Sequence, residues 1–117
     1  MSDQGDCLFC KIVARKIPSA VVYENDQVLG FKDINPQAPV HVLFVTKKHI
    51  TGVNEVKLAS QGIIDSLVVG ANQVARELKV LDSGYRIVIN CNRDAGQSVD
   101  HLHAHLLGGR MMAWPPG

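Results

Sequence analysis

Polar and apolar positions alternate along several short stretches of this chain and recur at helical spacing along one long stretch. LFCKIVARK (8–16) fits a short helix with Leu8, Ile12 and either Cys7 or Phe9 facing inward, and Pro18 marks its exit. AVVYE (20–24) and QVLGFKD (27–33) read as strands around the turn residues Asn25 and Asp26. NPQAP (35–39) is an ordered turn, and VHVLFVTK (40–47) a third strand. From about Leu58 to Leu78, the residues Ile64, Leu67, Val68, Ala71, Val74, Ala75 and Leu78 fall on one stripe, which predicts a long helix. GYRIVIN (84–90) and DHLHAHLL (100–107) are the last strands, joined by the polar loop CNRDAGQSV; Gly108 and Gly109 end the final strand. Strands dominate without strict βαβ alternation. The pattern therefore predicts an α+β domain, an antiparallel sheet of about five strands with one short N-terminal helix and one long helix.

Composition narrows the class. At 117 residues the chain reads as one domain, 1–117, large enough to build a core without disulfides or metal. A net charge of +1 leaves no electrostatic footprint for a nucleic-acid polymer. No apolar run approaches a membrane span. The opening MSDQGDCLFCKI lacks the basic flank, long apolar run and cleavage site of a signal peptide, so the expected location is cytoplasmic. Three cysteines is an odd number, which argues against a secreted disulfide framework.

The stretch HLHAHLL carries the chemistry. On a strand, side chains two apart share a face, so His101, His103 and His105 align while Leu102, Ala104 and Leu106 turn to the core. Neighbouring rings would lie roughly 7 Å apart. Two imidazolium ions at that distance repel by about 2.4 kcal/mol at an effective dielectric near 20. At least one ring is therefore expected to be neutral, and His103, flanked on both sides, is the natural candidate. A neutral imidazole can be a nucleophile or a metal ligand, while a charged neighbour can protonate a leaving group. The alternatives at this point are a solvated polar strand face, a three-histidine zinc site, and phosphorus chemistry. The loop residues Gly96, Gln97 and Ser98 favour the last, because they can offer N–H groups and a hydroxyl to an oxyanion, with Asn90 at the same edge.

HLHAHLL resembles the signature of the histidine-triad (HIT) family. The resemblance runs through IPSAVVYENDQVLGFKDINPQAP, KKHI, GYRIVIN, GQSVDHLHAHLLGGR and WPPG, and points to the Hint branch, the purine nucleoside phosphoramidases. It implies that His103 attacks the α-phosphorus of an AMP-type phosphoramidate to form a covalent nucleotidyl-histidine, which water then hydrolyses. It implies that His105 assists proton transfer, that His101 and His41 complete the polar cluster, and that Gly96, Gln97, Ser98 and Asn90 surround the phosphate. Asp33 would bind the ribose hydroxyls, and Ile34, Phe9 and Phe31 would line the base pocket; on physical grounds alone these four are equally a turn cap and core residues. The resemblance further implies a homodimer with the tail RMMAWPPG near its interface. The branch needs no catalytic metal.

Cys7 and Cys10 have the spacing of half a tetrahedral zinc site. They equally fit small apolar residues packed on one side of a short helix. The zinc-carrying members of the resembling family supply the other half from positions matching His49 and His101, which would make the metal structural. Two other functions stay open: a zinc-dependent hydrolase using the triad, and a non-catalytic nucleotide-binding or scaffold protein.

Overall fold

The computed structural model describes residues 5–117, so the first four residues of the expected domain lie outside the described residues. Five strands form one antiparallel sheet: β1 (Val21–Glu24), β2 (Val28–Lys32), β3 (Val40–Thr46), β4 (Tyr85–Val88) and β5 (His103–Gly108). Their order is β1-β2-β3-β5-β4. The three helices are α1 (Leu8–Val13), α2 (Ile63–Glu77) and the single turn α3 (Asn92–Ala95). The expected α+β architecture is present.

Period-two alternation on the central strands creates two cores. Val42 and Phe44 of β3 and Ala104 and Leu106 of β5 join Val28, Leu102 and the Leu67, Ala71, Val74 and Ala75 stripe of α2. On the opposite face, Leu29, Phe31, Leu43 and Val45 pack against Phe9 and Ile12 of α1. The register pairs Val45 with His103, Leu43 with His105 and His41 with Leu107, so the histidines share the α1 face. The chemistry therefore sits on the side of the sheet that the long helix leaves open.

The differences from the sequence expectation have local causes. The long helix begins at Ile63 rather than near Leu58, because Gly62 adopts a left-handed φ of 93° and separates it from a 3-10 turn at Leu58–Ser60. Leu78, expected on the buried stripe, is exposed, and so is Leu58. In α1 it is Phe9 and Ile12 that are buried, whereas Leu8 faces outward. The helix also stops at Val13, since Arg15 takes a left-handed φ of 63°. CNRDAGQSV is not all loop: α3 occupies its first half and ends at Gly96, φ 80°. The final strand starts at His103, so His101 precedes it.

Leu67 is fully buried between α2 and the sheet. Leu67→Ala should lower unfolding free energy by about 2–5 kcal/mol, read by urea denaturation of the full chain; a loss under about 1 kcal/mol would mean that α2 is not the lid of the main core.

Candidate active site

His103 and His105 stand side by side on β5, with ring centroids 5.1 Å apart. Their hydrogen bonds assign them opposite tautomers. His103 Nδ1 donates to the His101 carbonyl at 2.6 Å, which leaves the Nε2 lone pair free. On β3, His41 Nδ1 accepts the Gln37 N–H at 3.0 Å, so its hydrogen is on Nε2. That Nε2–H donates to His105 Nδ1 at 2.9 Å. His105 therefore carries its hydrogen on Nε2. One ring offers a bare nitrogen, its neighbour an N–H.

Burial keeps these rings uncharged. It pushes the pKa of His105 down to about 4, helped by His103 and His41 and opposed by Asp33. Burial also lowers His103, against its bond to the His101 carbonyl and the Asp33 charge, and it lowers His41 against Asp33. Phe9 contributes to the burial, meeting His103 edge-on at 5.0 Å. Burial thus shifts His103 in the direction the sequence expectation requires, and shifts His41 and His105 the same way.

His101 belongs to a different group. Its ring is fully buried, and its Nε2 donates to the Thr46 carbonyl at 2.6 Å. Nδ1 is thereby left bare, 3.3 Å from Cys7 Sγ, 3.5 Å from Cys10 Sγ and 3.2 Å from His49 Nδ1. Cys10 Sγ lies 3.1 Å from His49 Nδ1, and all four donor atoms fall within 4.8 Å of one another. A tetrahedron drawn with ordinary zinc–nitrogen and zinc–sulfur bonds has edges of about 3.3–3.8 Å. Two thiolates and two imidazoles fit that tetrahedron and would neutralise a divalent ion, and the Thr46 carbonyl is the outer partner that orients such a ligand. In the protein alone, burial and the neighbouring Cys7 push the Cys10 thiol up to about 11. A second set, Asp33, His41 and His105, is equally close. There, however, His41 Nε2 holds a hydrogen, so that set is a hydrogen-bond relay rather than a ligand cage.

The remaining predicted residues divide. One oxygen of Asp33 accepts the Asn35 N–H at 2.7 Å, as a turn cap does, and the other lies 3.4 Å from His41 Nε2. Phe9 and Phe31 pack edge-on at 5.8 Å inside the smaller core. Ile34 is wholly exposed, which excludes core packing. Asn90 lies two residues beyond the end of β4, the strand that pairs with β5.

Gln97 does not offer its side chain to a ligand. Its Nε2 donates to Thr51 O at 2.9 Å and Val99 O at 3.0 Å, and its Oε1 accepts Asn92 N–H at 2.8 Å. The Gly96 and Gln97 N–H groups are spent on α3, bonding Arg93 O and Asn92 O. Of the three loop residues only Ser98 keeps its donors free among the described residues, and it lines a cavity of about 690 Å³ together with Cys7, His49 and Thr51. Sequence reasoning missed Thr46 and Gln37. Gln37 acts through its main-chain N–H and Thr46 mainly through its carbonyl, with its hydroxyl 3.3 Å from the same His101 Nε2; main-chain partners leave no trace in a residue pattern.

With this geometry in place, comparison with known proteins is decisive at the family level. The HIT domain model matches residues 14–112, and the chain belongs to that family. It is 47% identical over 114 residues to the 14 kDa zinc-binding protein of Brassica juncea, covering 96% of this chain and 100% of that one. The crystal structure of a HIT family hydrolase from Legionella pneumophila Philadelphia 1 superposes with a TM-score of 0.92 at 46% identity, over 95% of this chain and 99% of that one. The histidine triad nucleotide-binding protein of Candida albicans superposes with a TM-score of 0.79 at 31% identity, over 93% and 82%. The chain is thus a HIT domain with the fold of HIT hydrolases and nucleotide-binding proteins. No helix among the described residues is long and apolar enough to cross a membrane.

The depressed pKa values have a stability consequence with a definite sign. A folded pKa of about 4 for His105, against 6.5 in the unfolded chain, contributes stability that is complete above pH 6.5 and is lost as pH falls toward 4. Thermal unfolding should therefore be nearly flat above that window and fall within it, with a shallower fall in His105→Gln. An equally steep fall in the variant would mean that His105 titrates normally.

Proposed function

We propose that this protein hydrolyses the P–N bond of purine nucleoside 5′-phosphoramidates, of the AMP-amine type, through a covalent nucleotidyl-His103 intermediate. The observation that carries the reading is the pair of opposite tautomers on adjacent strand positions. His103 Nε2 has the lone pair to attack phosphorus, and the His101 carbonyl steadies the positive charge that its ring acquires. An amine leaves phosphorus only as it gains a proton. His105 Nε2–H is the donor for that proton, and the His41 Nε2–H bond fixes which nitrogen carries it. The His41–His105 pair takes up the needed proton from water as the anionic substrate binds, the Asp33 carboxylate favouring that positive charge, and returns to neutral when His105 Nε2–H passes to the amine. Water then attacks the nucleotidyl-histidine with His105 as the base, and AMP is released.

Ser98, with its donors free among the described residues, is the loop residue assigned to a phosphate oxygen, together with Asn90. Gly96 and Gln97 shape the loop: Gly96 supplies the left-handed turn and Gln97 ties it to Thr51 and Val99. Asp33 is assigned to the ribose hydroxyls and exposed Ile34 to the purine face, with Phe9 and Phe31 behind them. The reaction needs no catalytic metal. The Cys7, Cys10, His49 and His101 group is assigned a structural zinc, which would hold α1 to the loop before β5; four protein ligands leave no open position for substrate. We further assign a homodimer. Tyr85–Val88 is an edge strand, and the adjoining tail exposes Met111 and Trp114 to 91% and 82% while Arg86 holds it through Ala113 O. Three unpaired cysteines suit the reducing cytoplasm.

His103→Ala should abolish turnover of adenosine 5′-phosphoramidate while nucleotide binding stays measurable by calorimetry; unchanged turnover rejects the nucleophile. His105→Ala should cost roughly 100- to 10,000-fold with an amine leaving group, and far less with a phenolate that departs without a proton. Equal losses on both substrates would remove His105 from the acid role. For the metal, elemental analysis of purified protein should find one zinc per chain, and chelation should lower the melting temperature. A metal-free, equally stable sample with Cys7 and Cys10 both reactive would end the zinc assignment.

A further inference from the structure

We propose that Cys7 and Cys10 are a peroxide-sensitive modification site, whose oxidation to an intrachain disulfide dismantles the Cys/His cluster and releases the His103 nucleophile from its fixed orientation. The inference rests on the zinc and phosphoramidase readings above and adds a control to them.

Three observations converge. First, the two sulfurs are already close: Cys7 Sγ accepts the Cys10 N–H at 3.4 Å, and both belong to the set of donors lying within 4.8 Å of one another. A disulfide there needs side-chain rotation, not unfolding. Second, both cysteines are only half-buried and are approached from two sides. Cys7 lines the cavity of about 690 Å³ that also reaches Ser98, and Cys10 lines another of about 390 Å³ beside Lys11 and Lys47. A small oxidant has access to each. Third, the cluster is joined to the nucleophile by one residue. His101 gives its ring to the sulfurs and its carbonyl to His103 Nδ1–H. Cys91, the third cysteine, has no part in this group.

The chemistry balances with hydrogen peroxide as the oxidant. Metal coordination keeps both sulfurs as thiolates, the form that reacts. We assign the first attack to Cys7, which faces the larger cavity. Its sulfur takes one peroxide oxygen, the O–O bond breaks, and the hydroxide released gains a proton to become water. Cys10 sulfur then displaces the oxygen of the resulting sulfenic acid, which leaves as a second water after protonation. The two sulfurs lose two electrons, one peroxide gains them, and the divalent ion departs because its two anionic ligands are gone. His101 then loses its two sulfur partners at α1. It keeps its ring bond to Thr46 and its main-chain bond to Val99, with Leu102 still bonded to Ile50, so the support under His103 is loosened on the α1 side alone.

The test uses the full chain with Cys91→Ser, loaded with one equivalent of zinc and treated with hydrogen peroxide. Four changes are expected together. Intact mass falls by two hydrogens, and peptide mapping places the disulfide at Cys7–Cys10. A chromogenic chelator captures the zinc. Nitrogen NMR shows His103 passing from a single Nδ1–H tautomer to a mixture. The turnover number falls roughly 10- to 100-fold, the size of effect expected when support for a metal ligand is lost, and a thiol reductant with added zinc restores it. Retention of zinc and both thiols under peroxide that oxidises free cysteine overturns the proposal. So does a disulfide that leaves the His103 tautomer and turnover unchanged. If the untreated protein cleaves no phosphoramidate, the functional reading fails separately, and mass, zinc release and tautomer still decide this one.

Discussion

The main-chain carbonyl and side chain of His101 together hold the site in register. The carbonyl takes the Nδ1 hydrogen of His103 at 2.6 Å, and the ring places Nε2 on the Thr46 carbonyl at the same distance. A buried N–H or carbonyl without a partner costs about 1–3 kcal/mol, so neither bond is dispensable in a region this dry. Between them they settle two tautomers at once. His103 keeps a bare Nε2, and His101 presents a bare Nδ1 to two sulfurs and His49. Two neighbouring histidines are thereby given different chemistry by the same few atoms of backbone.

The sheet supplies the remaining constraint. Antiparallel pairing of β3 with β5 puts His41 opposite Leu107 and Leu43 opposite His105, which brings a ring from each strand within hydrogen-bonding reach on the α1 face. Apolar side chains on the same face, Leu43, Val45 and Phe9, exclude water and hold the rings neutral. The opposite face of the same strands is committed to α2. One alternating pattern serves both ends, and a one-residue slip would exchange them.

The alternation in HLHAHLL made His103, His105 and the buried Leu102, Ala104 and Leu106 legible, because strand period is a local property. The α2 stripe was legible for the same reason. Its start was not, since the left-handed turn at Gly62 leaves no trace in hydrophobic spacing. His101 looked like a third member of the strand face and, through the resemblance, like a partner of Cys7, Cys10 and His49; it precedes β5, and its ring joins that second group. Gln97 looked like an anion ligand through its main-chain N–H, which in the fold bonds Asn92 O. Its whole side chain braces the loop as well. Ile34 read as core or pocket and stands fully exposed, where only a ligand or another chain would cover it.

By itself the sequence determined which residues alternate, which recur at helical spacing, and that three imidazoles near one strand could not all be charged. These follow from geometry along the chain and from Coulomb repulsion between neighbours, and neither requires knowledge of what packs where. Only the tertiary structure decided which nitrogen of each ring carries hydrogen, and that β5 lies between β3 and β4. It also brought the donor atoms of residues 7, 10, 49 and 101, which the family resemblance had grouped but no local pattern could, within 4.8 Å of one another. Those outcomes depend on hydrogen-bond partners supplied by distant main-chain atoms, such as Thr46 O and Gln37 N, whose positions exist only once the sheet has formed.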